Sequence, residues 1–445
     1  MRFQAMILGW VLLTAVSASA GDTLLMPGDV VTMAADMSLA SQLAASDSLA
    51  AAADVRHARA TLYPTLGFQG QYTARDNQPE IAAGPVSFAM GNQSNGEYLL
   101  TARELLWNGG QRGLAIEAAR QNLDAVRAQG RSRIQSTQLA ALDRYVTAMN
   151  LKGQDVVLAA TLASLEKRLR EVQDMFDQGL VARNDLLEIR VQRDRIRDDR
   201  SAVHDRLTVV LQDLNRILGR EPTAQVSLPD TLVLAIRSTV PDTLGSGYPL
   251  EDNLQVRAAT ANAQTARTSA GLAHKAWYPN VFVAASHSWQ ENDALVHPYV
   301  NAVALGVSWD IFDGGARAAQ SAKAAAGVLA FDRSRTEAER SARITREQAR
   351  LDQARARREE ATARSNVAAA AENLRIVGDQ YREGVARAGD VLDAEALLAD
   401  SRLQVILKHH QDFLAGARMA AAEGRDLVAY FRNPNAPHKG ASRHE

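Results

Sequence analysis

Two parts of the chain show the alternation of apolar and polar residues that predicts β-strands. In the second half, apolar side chains occupy every other position from Val303 to Ile311, which is the two-residue period of a strand. In the first half, Leu66 and Phe68 begin a similar alternation with polar neighbours. Each strand is accompanied by a second strand-like run, across a loop rich in Gly, Asn and Pro. The pattern predicts strand pairs over residues 62–107 and 279–312.

A long helix is predicted after each strand pair. Beyond Asn108-Gly-Gly and Asp313-Gly-Gly, turns whose Asn or Asp can cap a helix, lie more than 60 residues without proline. As a helix, such a stretch measures roughly 100 Å. After Gly179 and Gly384, apolar residues recur at alternating four- and three-residue steps, as in a coiled coil. The two apolar stripes are Val203, Leu207, Val210, Leu214 and Ile217, and Leu392, Ala396, Ala399, Leu403 and Ile406. Two helical hairpins are therefore predicted, over 109–219 and 314–424, with tips near residues 179 and 384.

The two halves repeat these signals in the same order, which indicates an internal duplication. "LLWNGGQR" at 105–112 is answered by "DIFDGGAR" at 310–317, and "FDQGLVARNDLL" at 176–187 by "YREGVARAGDVL" at 381–392. Both pairs are offset by 205 residues. The predicted units are a first repeat at 21–219, a connector at 220–253, a second repeat at 254–424 and a polar C-terminal tail at 425–445.

The N-terminus, residues 1–20, has the three parts of a secretory signal peptide. Arg2 is followed by an apolar run from Ala5 to Val16 and by the small residues Ala18-Ser19-Ala20, which resemble a cleavage site. A short membrane anchor is the alternative, but the run falls short of the roughly 20 residues that span a bilayer. The sequence therefore predicts export.

Composition and motifs argue against enzymatic chemistry. Cysteine is absent and the net charge is −1, which excludes thiolate sites and gives no field that would attract nucleic acid. No phosphate-binding loop, zinc-protease motif or Gly-rich turn after a strand is present. His409-His410 could suggest a metal pair, but adjacent helix residues face different ways. We expect no enzyme activity, no metal and no cofactor.

The predicted strands suggest how the chain is used. They contain about ten to thirteen residues, enough to cross an outer-membrane-type bilayer when tilted. Four strands cannot close into a barrel, and open edges cannot face lipid. Three chains of four strands each would supply 12 strands around one pore. The alternative is a small soluble sheet on a periplasmic coiled coil.

The ordered double set of motifs resembles TolC-type outer-membrane factors. Its parts are Tyr63-Pro64 and Tyr278-Pro279 before strands, "WDIFDGG" before a long helix, and the turn "YREGVARAGDVLDA". The resemblance runs from roughly Leu39 to Gly424. It implies a mainly α fold with β, in which a homotrimer forms a 12-stranded outer-membrane β-barrel continued by a periplasmic α-helical barrel.

By the same resemblance, the protein is an exit duct of a tripartite efflux pump or a type I secretion system. Its partners are then outer-membrane lipid, a periplasmic adaptor and an inner-membrane pump of the RND or ABC type. The sequence does not identify the cargo. A periplasmic coiled-coil adaptor or structural protein is the competing interpretation, although an adaptor would normally carry one hairpin flanked by β-domains.

The resemblance also assigns roles to residues near the two tips. Gly179, Leu180, Gly384 and Val385 would form the tip turns on which the adaptor docks. A glycine suits a tight helix–helix turn because it tolerates the left-handed conformation.

Asp390 and Asp393 match the family's paired entrance aspartates. Residues three apart are neighbours on a helix, so three chains would bring six carboxylates to one constriction, which favours cations. The alternative is local: Asp390 as the N-cap of the returning helix and Asp393 as a first-turn acid near the helix dipole.

Asp185 and Tyr381 match residues whose hydrogen bonds help to hold the family's entrance shut. The basic residue of that lock belongs five positions after the tyrosine, where this chain has Ala386. Arg387, one step further, is the candidate substitute.

Overall fold

The computed structural model describes residues 24–230, 249–293 and 295–432. The predicted signal peptide lies outside the described residues, as do much of the predicted connector and the end of the predicted tail.

The described residues form helices and strands in the order that the duplication predicts. In chain order they are α1 (Pro27–Asp36), α2 (Leu39–Ala60), β1 (Thr65–Ala74), β2 (Glu80–Ala83), β3 (Val86–Ala89), β4 (Ser94–Trp107), α3 (Gln111–Asp177), α4 (Arg183–Ile217), α5 (Leu254–Lys275), β5 (Asn280–Gln290), β6 (Tyr299–Ser308), α6 (Ala316–Arg382), α7 (Ala388–Ala422) and α8 (Leu427–Arg432). Helices α3 and α6 each contain 67 residues, and α4 and α7 each contain 35. The two halves of the chain therefore repeat the same helical hairpin with the same helix lengths.

Four strands make one antiparallel sheet in the order β1-β4-β5-β6. Strands β4 and β5 join the two halves of the chain, with Glu97 opposite Gln290. The loop predicted between the two strands of the first pair is not entirely irregular, because β2 and β3 form a separate two-stranded hairpin there, with Ile81 opposite Phe88. Alternation over only four residues is too short to distinguish a strand from a loop.

The turns before α3 and α6 are built as the Asn/Asp-Gly-Gly motifs predict. Gly110 and Gly315 have φ of +85° and +91°, in the left-handed region. Asp313 accepts hydrogen bonds from the backbone N–H groups of Gly315 and Arg317 at 3.1 and 2.9 Å, and Asn108 accepts from that of Arg112 at 3.4 Å. These side chains therefore satisfy N–H groups at the starts of the long helices.

Shorter helices pack end to end along each long helix. Helix α3 contacts α2 and α5 near the sheet, and α4 and α7 further along; α6 contacts α5 and then α7. Where α4 ends, Gly219 lies against the start of α2, and where α7 ends, Gly424 lies against the start of α5. Ser38 and Asn253 cap the helices that begin there, accepting from backbone N–H groups.

The contact between α6 and α7 is an alanine seam. Buried alanines recur on α6 every seven residues: Ala342, Ala349, Ala356, Ala363 and Ala370. On α7 the predicted stripe is wrong in register, since Ala396 is exposed while Val391, Ala394 and Leu398 are buried. The small side chains allow several heptad registers, and the structure selects one that begins with Val391. The predicted stripe on α4 is confirmed at Val203 and Leu214.

The main hydrophobic core lies midway along the helices. It combines α1, α3, α4, α7 and α8 around Tyr145 and Leu142, which are fully buried. The described part of the predicted connector lies against α3, where Lys152 donates to the carbonyl of Leu228 at 2.7 Å. Part of the predicted tail is also structured, because Leu427 of α8 is buried in this core. The polar composition of the last residues hid this short apolar turn.

None of the helices in the described part of the chain is long and apolar enough to cross a membrane.

Candidate functional site

The two tip turns have the same backbone geometry. Gly179 and Gly384 have φ of +74° and +77°. The N–H of Leu180 donates to the carbonyl of Met175 at 2.9 Å, and the N–H of Val385 to that of Gln380 at 2.8 Å. With the shorter-range bonds made by the glycines, these form the Schellman motif that ends a helix. The predicted turns are therefore present at both tips.

The tips expose apolar side chains at their outermost points. Leu180 is 66% exposed and Val385 is 74% exposed. Behind them, Val172, Leu186, Ile189 and Val391 belong to a small buried cluster that holds the four helix ends together. Leu180 and Val385 are thus held in place by the packed cluster behind them. Their role in docking stays a prediction.

Asp390 and Asp393 lie on the exposed side of α7. Helix α7 begins at Ala388 with Arg387 as its N-cap, so the N-cap role considered for Asp390 is wrong by three positions. Asp390 instead accepts a hydrogen bond from the backbone N–H of Arg387 at 2.8 Å. Asp393 lies one turn further along, on the face opposite buried Val391. One chain therefore brings two exposed carboxylates to the start of α7.

The same placement occurs at the other tip. Asp185 and Glu188 precede Asp390 and Asp393 by the repeat offset of 205 residues. Asp185 lies in the first turn of α4, and Glu188 is exposed. The sequence interpretation did not name Glu188, although the repeat alignment places it at the counterpart of Asp393.

The three predicted lock residues do not form a hydrogen-bonded set. Tyr381 is buried, and its hydroxyl has no hydrogen-bond partner among the described residues. Burial raises the pKa of Tyr381, the charge of Asp185 raises it further, and the charge of Arg168 opposes both. Asp185 is therefore near the tyrosine without bonding to it. The exposed Arg387 side chain has no described ion pair with Asp185.

A buried acid next to the predicted gate was missed. Glu395 is 6% exposed, and its Oε1 accepts from the Ser164 hydroxyl at 3.0 Å and from Arg168 Nε at 3.3 Å. It lies four residues after Val391 and three before Leu398, on the buried face of α7, which the predicted stripe had misplaced. A charged residue at such a position requires a partner.

The two adjacent histidines of α7 contact side chains on different helices. His410 is buried and its Nδ1 lies 2.5 Å from Asn150 Oδ1 on α3, whereas His409 Nδ1 lies 2.8 Å from Glu360 Oε1 on α6. Burial lowers the pKa of His410 to about 4, with a smaller contribution from His409. No group of acidic and histidine side chains suited to holding a metal occurs in the part of the chain that the structure describes.

Comparison with known proteins gives both a family match and a fold match. The sequence model of the family described as "Outer membrane efflux protein" matches residues 249–424. Comparison with curated protein sequences gives no match.

Three of the similar solved structures span nearly the whole chain. The outer membrane protein VceC from Vibrio cholerae is 17% identical, with a TM-score of 0.76, and the match covers 90% of this chain and 96% of VceC. A membrane protein from Pseudomonas aeruginosa is 19% identical, with a TM-score of 0.77, and the match covers 91% of this chain and 92% of that protein. The CmeC outer membrane channel of Campylobacter jejuni is 13% identical, with a TM-score of 0.74, and the match covers 92% of this chain and 88% of CmeC.

The family match and the fold agree with the duplicated motifs. The described chain therefore shares the fold of solved bacterial outer-membrane proteins and channels. Residues 249–424 are thus similar to the outer membrane efflux protein family, and the described chain has the fold of the outer membrane protein VceC.

Proposed function

We propose that three copies of this chain form an exit duct through the outer membrane, with the sheets joined in a 12-stranded barrel and the helices in a periplasmic tunnel. The duct would release small molecules or proteins that a periplasmic adaptor and an inner-membrane pump deliver to its tips. It would serve a tripartite efflux pump or a type I secretion system.

The four-stranded sheet carries this proposal. Its register aligns Leu66, Ala102, Ala285 and Val303 in one row across all four strands. Leu66 and Val303 are 77% and 79% exposed, so an apolar face lies uncovered. Such a face suits lipid, whereas in water it would be an aggregation hazard.

The edges of the sheet indicate that the sheet of a single copy needs further strands. Among the described strands, β1 pairs only with β4 and β6 pairs only with β5. Unpaired backbone groups cannot face hydrocarbon. Joining β6 of one copy to β1 of the next satisfies both edges, and three copies supply 12 strands.

The proposal is tested by membrane fractionation followed by planar-bilayer recording. The full chain, expressed with its N-terminal segment, is expected in the outer-membrane fraction, and the detergent-extracted protein is expected to form discrete ion-conducting channels. A matched control places charge on the apolar row, as Leu66→Arg with Val303→Arg, and should abolish insertion. Recovery of the unmodified chain as a water-soluble monomer would refute the proposal.

Adaptor docking has its own test. The exposed tip residues Leu180 and Val385 would enter an apolar contact with the adaptor. Leu180→Asp with Val385→Asp should leave channel formation intact and abolish export in cells. The control Val156→Asp alters an exposed residue of α3 far from the tip. Unchanged export by the tip variant would show that docking occurs elsewhere.

A further inference from the structure

The two faces of the four-stranded sheet differ in chemistry. Side chains alternate between the faces along each strand, so the residues next to the exposed apolar row point to the opposite side. Thr101, Ser286 and Ala302 form one row there, and Gln71 and Gln290 lie on the same face nearer the loops. In the proposed barrel the apolar face meets lipid, so this polar face lines the pore.

Two charged side chains lie on this pore face of the described strands, Glu97 and Arg103 of β4. They are six residues apart, about 20 Å along an extended strand, which is too far for an ion pair. Glu97 instead accepts from Asn95 Nδ2 at 2.9 Å. Glu104 points to the other face and lies 3.4 Å from Arg112. Arg103 is exposed and has no ion pair among the described residues, so its charge is available to a solute in the pore.

An aromatic ring holds the Arg103 side chain in place. Its guanidinium carbon lies 4.0 Å from the centre of the Phe282 ring on β5, in the geometry of a cation–π contact. That ring in turn lies over Gly306 on β6, where an added Cβ would be 2.5 Å from the ring. The glycine therefore leaves the ring room to lie against the sheet. A guanidinium stacked by its flat face keeps its N–H edge free for an oxyanion.

Three copies would place three Arg103 side chains at one level of the barrel. A ring of 12 strands, about 4.8 Å apart and tilted by about 40°, has a radius of about 12 Å. Because side chains reach inward from this wall, an ion in the pore at this level lies within roughly 10 Å of a guanidinium, close to the distance over which salt screens a charge. The position 205 residues after Arg103 is Ser308, so the second half of the chain adds no opposing charge.

Resting on the proposed function, we infer that Arg103 is an anion-binding residue of the pore, one in each copy, which contacts carboxylate groups of passing solutes. The N–H edge of the guanidinium offers two parallel donors that match the two oxygens of a carboxylate. Phe282 is its positioning residue. The observation that carries this inference is the exposed and unpaired guanidinium on the pore face, stacked on an aromatic ring that Gly306 accommodates.

The first test uses citrate as the probe in single-channel recording. Citrate added on the barrel side should block the current through the unmodified channel, whereas potassium chloride of the same ionic strength should not. Arg103→Gln should raise the half-blocking concentration severalfold, because the carboxylates lose the guanidinium. Arg103→Lys should restore part of the block, since it keeps the charge without the planar fork. Arg56→Gln removes the same charge from an exposed position of α2 and, as the matched control, should be blocked like the unmodified channel.

The second test is the reversal potential in a salt gradient, which needs no probe. Arg103→Gln should shift it towards a stronger preference for cations, since three positive charges are lost from the pore. This shift is opposite in direction to the one expected when the tip aspartates are removed. Phe282→Leu keeps the charge and removes the stacking surface, so it should keep the reversal potential and weaken the citrate block. If Arg103 only stabilised the sheet, neither measurement would change in variants that insert and conduct.

The outcomes separate the two proposals. If the unmodified protein forms no channel, the proposed function is wrong and this inference falls with it. If the unmodified protein conducts and citrate blocks Arg103→Gln at the same concentrations, the inference alone is overturned. An unchanged reversal potential for Arg103→Gln would overturn it as well. Arg103→Met, which has a side chain of similar length, replaces the glutamine variant if that variant does not insert, with the same outcomes deciding the inference.

Discussion

Asp390 has a local role that is independent of any partner chain. Its carboxylate accepts from the N–H of Arg387 at 2.8 Å, which satisfies one of the free donors at the start of α7. Asp393 makes no corresponding bond among those described for the first turn and lies exposed one turn further along. The local and pore roles are therefore separable, because only Asp390 has the first.

Removing both charges tests the pore role of these aspartates. Asp390→Asn with Asp393→Asn should lower the preference of the channel for cations, since six carboxylates would be lost from the ring. The reversal potential in a salt gradient measures this preference. Asp54→Asn, an exposed acid of α2 far from the tips, is the control. A reversal potential identical to that of the unmodified channel would show that the aspartates do not line the constriction.

His410 predicts how stability depends on pH. Its pKa falls from 6.5 to about 4 on folding because the side chain is buried. The unfolded chain thus binds a proton in a range where the folded chain does not, so stability is lost as the pH falls from 6.5 towards 4. The loss amounts to at most about 3 kcal/mol.

Thermal unfolding of the detergent-extracted protein at several pH values measures this loss. His410→Gln should unfold with a weaker dependence on pH in that range than the unmodified protein. His57→Gln, at an exposed position, should retain the full dependence. Equal dependence in all three proteins would show that His410 is not protonated on unfolding.

At the scale of the elements, the stacked helix ends are the most constrained contacts. Gly424 has φ of +77°, and a Cβ there would lie 2.3 Å from the carbonyl oxygen of Asp252. Gly384 has the same φ with open space around it. Comparing alanine at these two positions isolates the cost of the close contact from the cost of the backbone conformation.

Gly424→Ala should therefore destabilise the protein more than Gly384→Ala does. The left-handed conformation costs alanine about 1–2 kcal/mol at either position, and forcing the stacked ends apart at Gly424 adds about 1–3 kcal/mol. Denaturant unfolding measures both. Equal losses would mean that the α7–α5 junction adapts without strain.

The long elements were predictable from sequence because their signals extend over many residues. The hairpins predicted over 109–219 and 314–424 contain α3–α4 and α6–α7. The shorter elements were not: α8 and the β2–β3 hairpin have too few residues for a period, and α8 is stabilised by packing rather than by propensity. The stripe on α7 was misplaced because alanine is compatible with several registers.

The site was predictable only as far as local motifs extend. The glycine turns follow from the chain itself and its repeat, whereas Asp390 and Asp393 were named because they match the family's motif. Glu395 required knowledge of which face of α7 is buried, and its partner Arg168 lies in the other half of the chain. No local pattern reports a contact across 227 residues.

At the scale of the whole molecule, a single chain has an exposed apolar sheet face and two open sheet edges. Its helices leave α4 and α6 at the outer sides, each with exposed apolar residues such as Val191 and Leu351. The sheet edges and the helical edges lie on the same chain, so one rotation of neighbouring copies can cover both. A closed ring is the arrangement that removes all of these edges.

The mass of the particle extracted from outer membranes in mild detergent tests this account most directly. Native mass spectrometry, or light scattering corrected for bound detergent, should find three chains per particle at all protein concentrations that can be measured. A single chain, or a number of chains other than three, would contradict the account.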